Sequence, residues 1–234
     1  MRIALLGYGK MGKLVEEIAL REGWEVNPKL DITDNPDGCG VTPASMEGVD
    51  VAIEFSQPES VLANIEAAAH AGVSIVVGTT GWSDQRSKVE QLVKDSGIGL
   101  IYGANFSLGM NFFFEIVDHA ARIVGMMPQY DAFLSVEHHR AKKDAPSGTA
   151  LNLLDLMRPH LTNPNLNISC IRAGSIPGTH IIGFDSSADT ILLEHRARSR
   201  QGFAEGAILA ARWIAGKKGM YDFRQVFRQI VGIK

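Results

Sequence analysis

The chain has 234 residues, of which 45% are hydrophobic and 21% charged, an ordinary globular composition that excludes disorder for the chain as a whole. A net charge of −3 gives no basic field to recruit nucleic acid or a membrane surface. Cys39 and Cys170 lie far apart with no CxxC spacing, the N-terminus lacks signal-peptide character, and no stretch approaches the roughly 20 apolar residues of a membrane span, so a cytoplasmic protein with reduced thiols is expected.

Residues 3–6 are a short β-type run that ends in Gly7-Tyr8-Gly9-Lys10-Met11-Gly12. Met11, Leu14, Val15, Ile18 and Ala19 then recur at helical spacing until Gly23 stops them. Residues 25–31 read as a second strand, edge-like because Pro28 cannot donate to a ladder. A third strand is predicted over 49–55, an alanine-rich helix over 59–71, and a fully apolar strand over 73–77 of the kind buried on both faces of a parallel sheet. An exposed helix over 83–95 and a strand over 98–102 follow. This alternation predicts an α/β chain that starts with a doubly wound parallel sheet.

Beyond Asn105 the character changes. Residues 108–124 form one long helical run in which Phe112, Phe113, Phe114, Ile116 and Val117 make the helix apolar nearly all round, as in a buried helix. A strand is predicted over 131–137, a helix over 148–161, and strands over 168–172, 180–185 and 190–196 with turns at Gly174, Gly178 and Ser186-Ser187. The second, smaller domain is therefore mixed α+β. The boundaries are placed at 1–104 and 105–204, with the terminal stretch, about 205–234, packing back on the first domain; it holds a helix over 203–215 and a short tail element over 221–230.

Gly7-x-Gly9-x-x-Gly12 follows a strand and opens a helix, the context in which such glycines cradle a dinucleotide pyrophosphate. Asp31, about 20 residues on, stands where an acid bonds the ribose hydroxyls. Gly78, Thr79 and Thr80 follow a strand end, where open α/β sheets bind ligands, although a plain turn fits the pattern equally. Gly103, Ala104, Asn105 and Phe106 hold the equivalent place after the next strand; Asn105 either orients a carboxamide or caps the following helix.

The segment Glu137-His138-His139-Arg140-Ala141-Lys142-Lys143-Asp144-Ala145-Pro146-Ser147-Gly148-Thr149-Ala150 gathers two histidines, an arginine and two lysines before a helix start. A solvated basic loop is the plain alternative. Zinc is not expected, because adjacent histidines do not converge on one ion and no further ligand set is evident. Cations leading into an anion-binding helix start suit a carboxylate, and histidine exchanges protons near neutral pH.

That segment resembles the signature of the dihydrodipicolinate reductase family, roughly E-x-H-H-x-x-K-x-D-A-P-S-G-T-A, through His138, His139, Lys142, Asp144 and the run from Ala145 to Ala150. The glycine motif, Ile53-Glu54-Phe55-Ser56, Gly78-Thr79-Thr80-Gly81, Ala104-Asn105-Phe106-Ser107 and Arg198-Ser199-Arg200 also resemble the family, in its order. Three features depart from it: Val136 stands where the family carries its glutamate, the stretch between Leu30 and Val49 is short, and Gln57 follows Ser56 where some members have arginine. The resemblance implies a Rossmann domain with a smaller substrate-binding and oligomerisation domain, a homotetramer, and NADH- or NADPH-dependent reduction of a cyclic imine dicarboxylate in lysine and diaminopimelate biosynthesis. It implies His138 and Lys142 as catalytic, and His139, Ser147, Gly148 and Thr149 as substrate ligands. Gly7 to Gly12, Asp31, Gly78 to Thr80 and Gly103 to Phe106 would hold the cofactor. A different dehydrogenase on the same architecture and a catalytically silent dinucleotide sensor are the rival readings. Asp31 predicts NADH used at least as well as NADPH, with Lys29 as the only nearby cation to blunt that preference.

Overall fold

The computed structural model describes residues 1–233. It divides into two units. One comprises Met1–Ser107 together with the chain from Gln201 onward; the other is Leu108–Arg200.

The first unit is built on six strands: β1 (Arg2–Leu6), β2 (Glu25–Leu30), β3 (Val51–Glu54), β4 (Ser74–Val77), β5 (Gly99–Tyr102) and β10 (Gly219–Asp222). All pair in parallel, in the order β10-β5-β4-β3-β1-β2. The sequence explains the order's centre. Strands β1, β3 and β4 are apolar on both faces and lie inside the sheet, whereas β2, interrupted by Pro28, takes an edge. Helices α1 (Lys10–Arg21), α2 (Val61–His70), α3 (Arg86–Ser96), α6 (Gln201–Ile214) and α7 (Phe223–Ile230) complete the unit. On one face Ala4, Leu6, Ala52, Ile75 and Val77 pack against Val61 and Ile65 of α2 and Val89 and Val93 of α3. Helices α1 and α6 pack together, and α6 also lies against β3, β4 and β5. The tail element expected over 221–230 is in fact two elements: β10 closes the sheet beside β5, and α7 follows, capped by Asp222, whose carboxylate accepts from the Arg224 and Gln225 amides at 2.9 and 3.4 Å.

The second unit holds α4 (Leu108–Val124), β6 (Asp131–His138), α5 (Gly148–Met157), β7 (Asn167–Arg172), β8 (Thr179–Asp185) and β9 (Thr190–Arg196). The sheet order is β7-β6-β8-β9, with β7 parallel to β6 and the remaining pairs antiparallel. Ala132, Leu134, Val136, Ile182 and Phe184 line the face covered by α4 and α5. Helix α5 is shorter than expected and gives way to a 3₁₀ turn, Arg158–His160, because Pro159 has no amide to extend the α-helical ladder. Helix α4 is also not buried all round. Met110, Phe113, Phe114, Val117 and Ala121 face the sheet and α5, but Phe112, Ile116 and Ile123 are 47%, 53% and 51% exposed. A helix lying on one side of a sheet has only one stripe to bury, and its remaining aromatic and aliphatic residues face outward.

Candidate active site

Each unit carries one cluster of candidate site residues. In the first, Gly7 and Gly9 join Asp31, Ser56, Gln57 and Asn64 around an open groove. The loop geometry requires its glycines. Gly7 has φ +94°, and a Cβ there would lie 2.2 Å from the Phe55 carbonyl oxygen. A Cβ on Gly12 would lie 2.4 Å from the Gly7 oxygen, so α1 and the loop approach backbone to backbone. At Gly9, the N-cap of α1, nothing lies within 4 Å of that position and no side chain caps the helix. The first-turn amides of α1, the bare glycine backbone and an acid lining the groove fit a dinucleotide.

The other expected cofactor residues sit around this groove in different ways. Tyr8 donates to Glu16 and lies under Lys13 and Lys29, whose Nζ atoms are 5.8 and 5.2 Å from its ring centre, while Lys10 is exposed and Met11 half-buried at the start of α1. Gly78 lets the Phe55 ring approach to 2.0 Å of where its Cβ would stand, Thr79 Oγ1 accepts from the Ser56 amide at 2.9 Å, and Thr80 is exposed. Gly103, Ala104, Asn105 and Phe106 lie beyond β5, outside that groove's lining. Asn105 Oδ1 accepts from the Ser107 amide at 2.9 Å just before α4, and the Phe106 side chain is core, 2% exposed against Phe55 and Phe223. Lys29 departs from expectation. It is ion-paired with Glu16 of α1 at 2.9 Å and does not line the groove.

Glu54 also belongs to this cluster, although its type and spacing carry no local signal of a role. It ends β3 fully buried, and its Oε1 accepts from the Ser56 amide at 3.0 Å, from the Ser56 hydroxyl and from Asn64 Nδ2 at 3.4 Å. Asn64 in turn accepts from Asn35 Nδ2 at 2.7 Å, and Asn35 from the Gly40 amide at 2.9 Å. One carboxylate therefore ties the groove-lining loops to α2. Burial pushes its pKa up, with the Ser56, Thr79 and Asn64 hydrogen bonds opposing. An acid whose folded pKa lies above its unfolded value of 4.5 favours folding at low pH and costs stability as pH rises through the folded value. Glu54→Gln is thus expected to raise the melting temperature at about pH 8 and to change it little near pH 4.5. Equal shifts at both pH values would place the ionised form in the folded protein.

In the second unit, β6 delivers His138 to the end of the sheet, buried with 6% exposure, and the chain then turns through half-buried His139 into the loop. The His138 carbonyl accepts from the Ala173 amide at 3.0 Å and the His139 carbonyl from the Lys142 amide at 3.1 Å. Lys142 Nζ pairs with Asp144 at 2.8 Å, and Arg172, at the end of β7, donates to the Asp144 carbonyl at 2.6 Å. Asp144 is held below the usual carboxylate range, first by the Lys142 hydrogen bond. His138 is pushed down to about 4 by burial, then by the Lys142 and Arg172 charges, with Asp144 opposing. Ser147, 2% exposed, is the N-cap of α5: its Oγ accepts from the Ala150 amide at 3.2 Å. Gly148 is open, with nothing within 4 Å of a Cβ position, and half-buried Thr149 follows it on the first turn. Asp144 and Arg172 belong to this cluster as well. Asp144 stood in the motif without a role; Arg172 carried no local signal, because only the β6–β7 pairing brings it there.

A buried imidazole, a paired lysine and a capped helix start thus stand together in one unit, and a glycine loop with an acid-bearing groove in the other. The same division runs through the relatives. The description "Dihydrodipicolinate reductase, N-terminus" fits residues 1–106, and "Dihydrodipicolinate reductase, C-terminus" fits residues 109–227. The 4-hydroxy-tetrahydrodipicolinate reductase of Christiangramia forsetii is 34% identical over 98% of this chain and 99% of its own length. That of Archaeoglobus fulgidus is 36% identical over 94% and 97%. The fold matches that of a dipicolinate-bound dihydrodipicolinate reductase from Paenisporosarcina sp. TG-14 with a TM-score of 0.76 at 21% identity, over 97% of this chain and 99% of that one. With both halves of the family present in order and end to end, the chain belongs to the dihydrodipicolinate reductases.

Proposed function

We propose that the chain is a cytoplasmic NAD(P)H-dependent reductase that converts (2S,4S)-4-hydroxy-2,3,4,5-tetrahydrodipicolinate to tetrahydrodipicolinate in lysine and diaminopimelate biosynthesis. The observation that carries this reading is the loop between β6 and α5, where His138, Lys142 and the start of α5 converge within a family-specific sequence. Loss of the 4-hydroxyl as water leaves the conjugated cyclic imine, and a nicotinamide held at the loop from Gly7 to Gly12 would supply hydride to its carbon four. The chain's own residues do the rest. His139, the Gly148 amide and the Thr149 hydroxyl grip a substrate carboxylate at the helix start, with Ser147 setting that turn. Lys142, drawn from Asp144 toward the arriving dianion, and His138 hold the proton that completes the reduction. Turnover with substrate generated by the upstream synthase, followed as loss of reduced cofactor, tests the reading; cofactor binding without turnover would instead make the chain a dinucleotide sensor.

NADH is used at least as well as NADPH, because the Asp31 carboxylate lines the groove beside Gly7 and Gly9 and repels a 2′-phosphate. Asp31→Ala is expected to move the ratio of kcat/KM values toward NADPH. Lys29→Ala should leave that ratio near the parent's, since Glu16 already holds the lysine. An unmoved ratio in the Asp31 variant, measured at fixed ionic strength, would remove this acid from ribose recognition.

The subunits assemble as a homotetramer through the sheet of the second unit. Its outer face is uncovered and presents Phe133, Ile171 and Leu192, the last two 44% and 59% exposed. Both cysteines are free and exposed, as suits a reducing compartment, and among the described residues no helix is long and apolar enough to cross a membrane.

A further inference from the structure

Strand β7 ends where β6 ends, because the two run parallel with Arg172 opposite His138. Beyond that pair the two chains stay joined. The Ala173 amide donates to the His138 carbonyl at 3.0 Å, and the Arg140 amide to the Gly174 carbonyl at 3.2 Å. The Arg172 side chain reaches further along the loop. Its Nη2 donates to the Asp144 carbonyl at 2.6 Å and its Nη1 to the Ile171 carbonyl at 3.0 Å. One planar guanidinium therefore ties an edge strand to the middle of the loop from His139 to Ser147. Its Nε is buried without a hydrogen-bond partner among the described residues, a cost that an arginine turned into water would not carry.

Asp144 stands two residues after Lys142 and three before Ser147, the N-cap of α5. Arg172 holds its carbonyl, while its carboxylate pairs with Lys142 Nζ at 2.8 Å and also accepts from the Gly148 amide. Backbone and side chain of one residue thus connect Arg172 to the lysine and to the helix start. The Asp144 carboxylate, 53% exposed, is free to yield Lys142 to an arriving anion, whereas the carbonyl stays tied to β7. The same guanidinium is one of the charges that act on His138. Lys142, Arg172 and His139 oppose a proton on that ring and Asp144 favours one; His180 on β8 meets it edge to face, ring centroids 5.2 Å apart.

We propose that Arg172 is a positioning residue for the reduction: by donating to the Asp144 carbonyl it fixes the loop that carries Lys142 toward the start of α5. This rests on that loop being the dicarboxylate site of the proposed reaction. A loop left untied samples many backbone conformations, and every residue ordered only when ligand binds costs affinity. Arg172 orders the stretch beforehand, so the lysine and the helix-start donors meet one carboxylate together. Lysine does not replace it, because a single ammonium on a flexible stem does not serve two carbonyls in one fixed plane. Its charge has a separate consequence: without it, the His138 pKa rises from about 4 toward the ordinary 6.5.

The probe is pyridine-2,6-dicarboxylate. Arg172→Gln should bind it about tenfold more weakly than the parent and raise KM for substrate. Affinity for NADH should not change, since its groove belongs to the first unit. The limb of the kcat/KM profile that reports His138 should move to higher pH, because a cation opposing that proton is gone. Arg172→Lys keeps the charge and should leave that limb near the parent's, yet recover only part of the affinity. Parental affinity for the probe in Arg172→Gln would overturn the proposal. So would full recovery of affinity by lysine, since charge alone would then suffice. Side-chain nitrogen-15 spectra of the parent should show the Arg172 Nη groups as separate, slowly rotating signals; one averaged signal would overturn the proposal without any variant having to fold. Failure of the parent itself to bind the probe decides the underlying reading separately: the loop would not be a dicarboxylate site, and the role given to Arg172 would fall with it, whatever its variants do.

Discussion

His138→Gln should lower turnover by about a hundredfold or more while leaving the affinity for NADH unchanged. Proton transfer by a positioned side chain typically contributes about 10²–10⁴-fold, and glutamine keeps polarity and length without exchanging a proton. The cofactor arm follows from the architecture: His138 lies on β6 in the second unit, whereas Gly7, Gly9 and Asp31 line a groove of the first. Lys142→Ala should fall in the same range and also release Asp144, its partner at 2.8 Å. The carboxylate then loses the hydrogen bond that chiefly holds its pKa down. The variant is therefore expected to bind pyridine-2,6-dicarboxylate more weakly as well, since a negative charge is left without its cation. Steady-state kinetics with both substrates varied, alongside cofactor binding by fluorescence, separates the two effects. Near-parental turnover in either variant would strike that residue from the mechanism.

The largest effect on stability is expected at Gly206. This residue lies on α6 where the helix crosses the chain leaving β5, and a Cβ there would stand 1.8 Å from the Phe106 carbonyl oxygen and 3.4 Å from the Phe223 ring. The obstacle is backbone, so no rotamer change relieves it. Gly206→Ala should cost about 3 kcal/mol, the upper part of the range for overpacking, which for a chain of this size lowers the melting temperature by roughly 6–12 °C. The gain in helix propensity from alanine, about 1 kcal/mol, has the opposite sign and does not offset it. A variant that melts with the parent would mean that α6 shifts bodily at little cost. Because the same displacement would move the stretch from Gly103 to Phe106, weaker cofactor binding is expected to accompany the loss.

Particular elements show why some of this was legible in the sequence. The central strands announced themselves because burial on both faces demands unbroken apolar runs, and Pro28 marked an edge because it removes a ladder donor. The loop from His138 to Thr149 was readable because its chemistry is local: a cap, a helix start and several cations within one short segment. Strand β10 was not. Gly219–Asp222 is short and half-buried throughout, and only its partner β5 makes it a strand. The outward stripe of α4 was hidden because composition reports how apolar a helix is, not how many sides are covered. Glu54 and His180 were hidden for a related reason: a polar residue's burial is a property of pairing across strands and helices, which periodicity does not encode. Lys29 was placed on the correct strand, but its nearest anion comes from α1.

The first unit is discontinuous along the chain. Its sheet is finished by β10, which pairs with β5 only after the whole second unit has intervened. On the ribosome, the edge of β5 therefore emerges without its neighbour and stays open while Leu108–Arg200 is made. The second unit is, in topological terms, an insertion whose ends meet, since a Cβ on Gly202 would lie 3.5 Å from Ser107 Oγ. It is free to fold as soon as it is synthesised, while the first unit waits for the last stretch to complete its sheet. Order of completion and order of synthesis are thus reversed, and a nascent chain arrested before Gly219 would hold a formed second unit and a first-unit sheet with one bare edge.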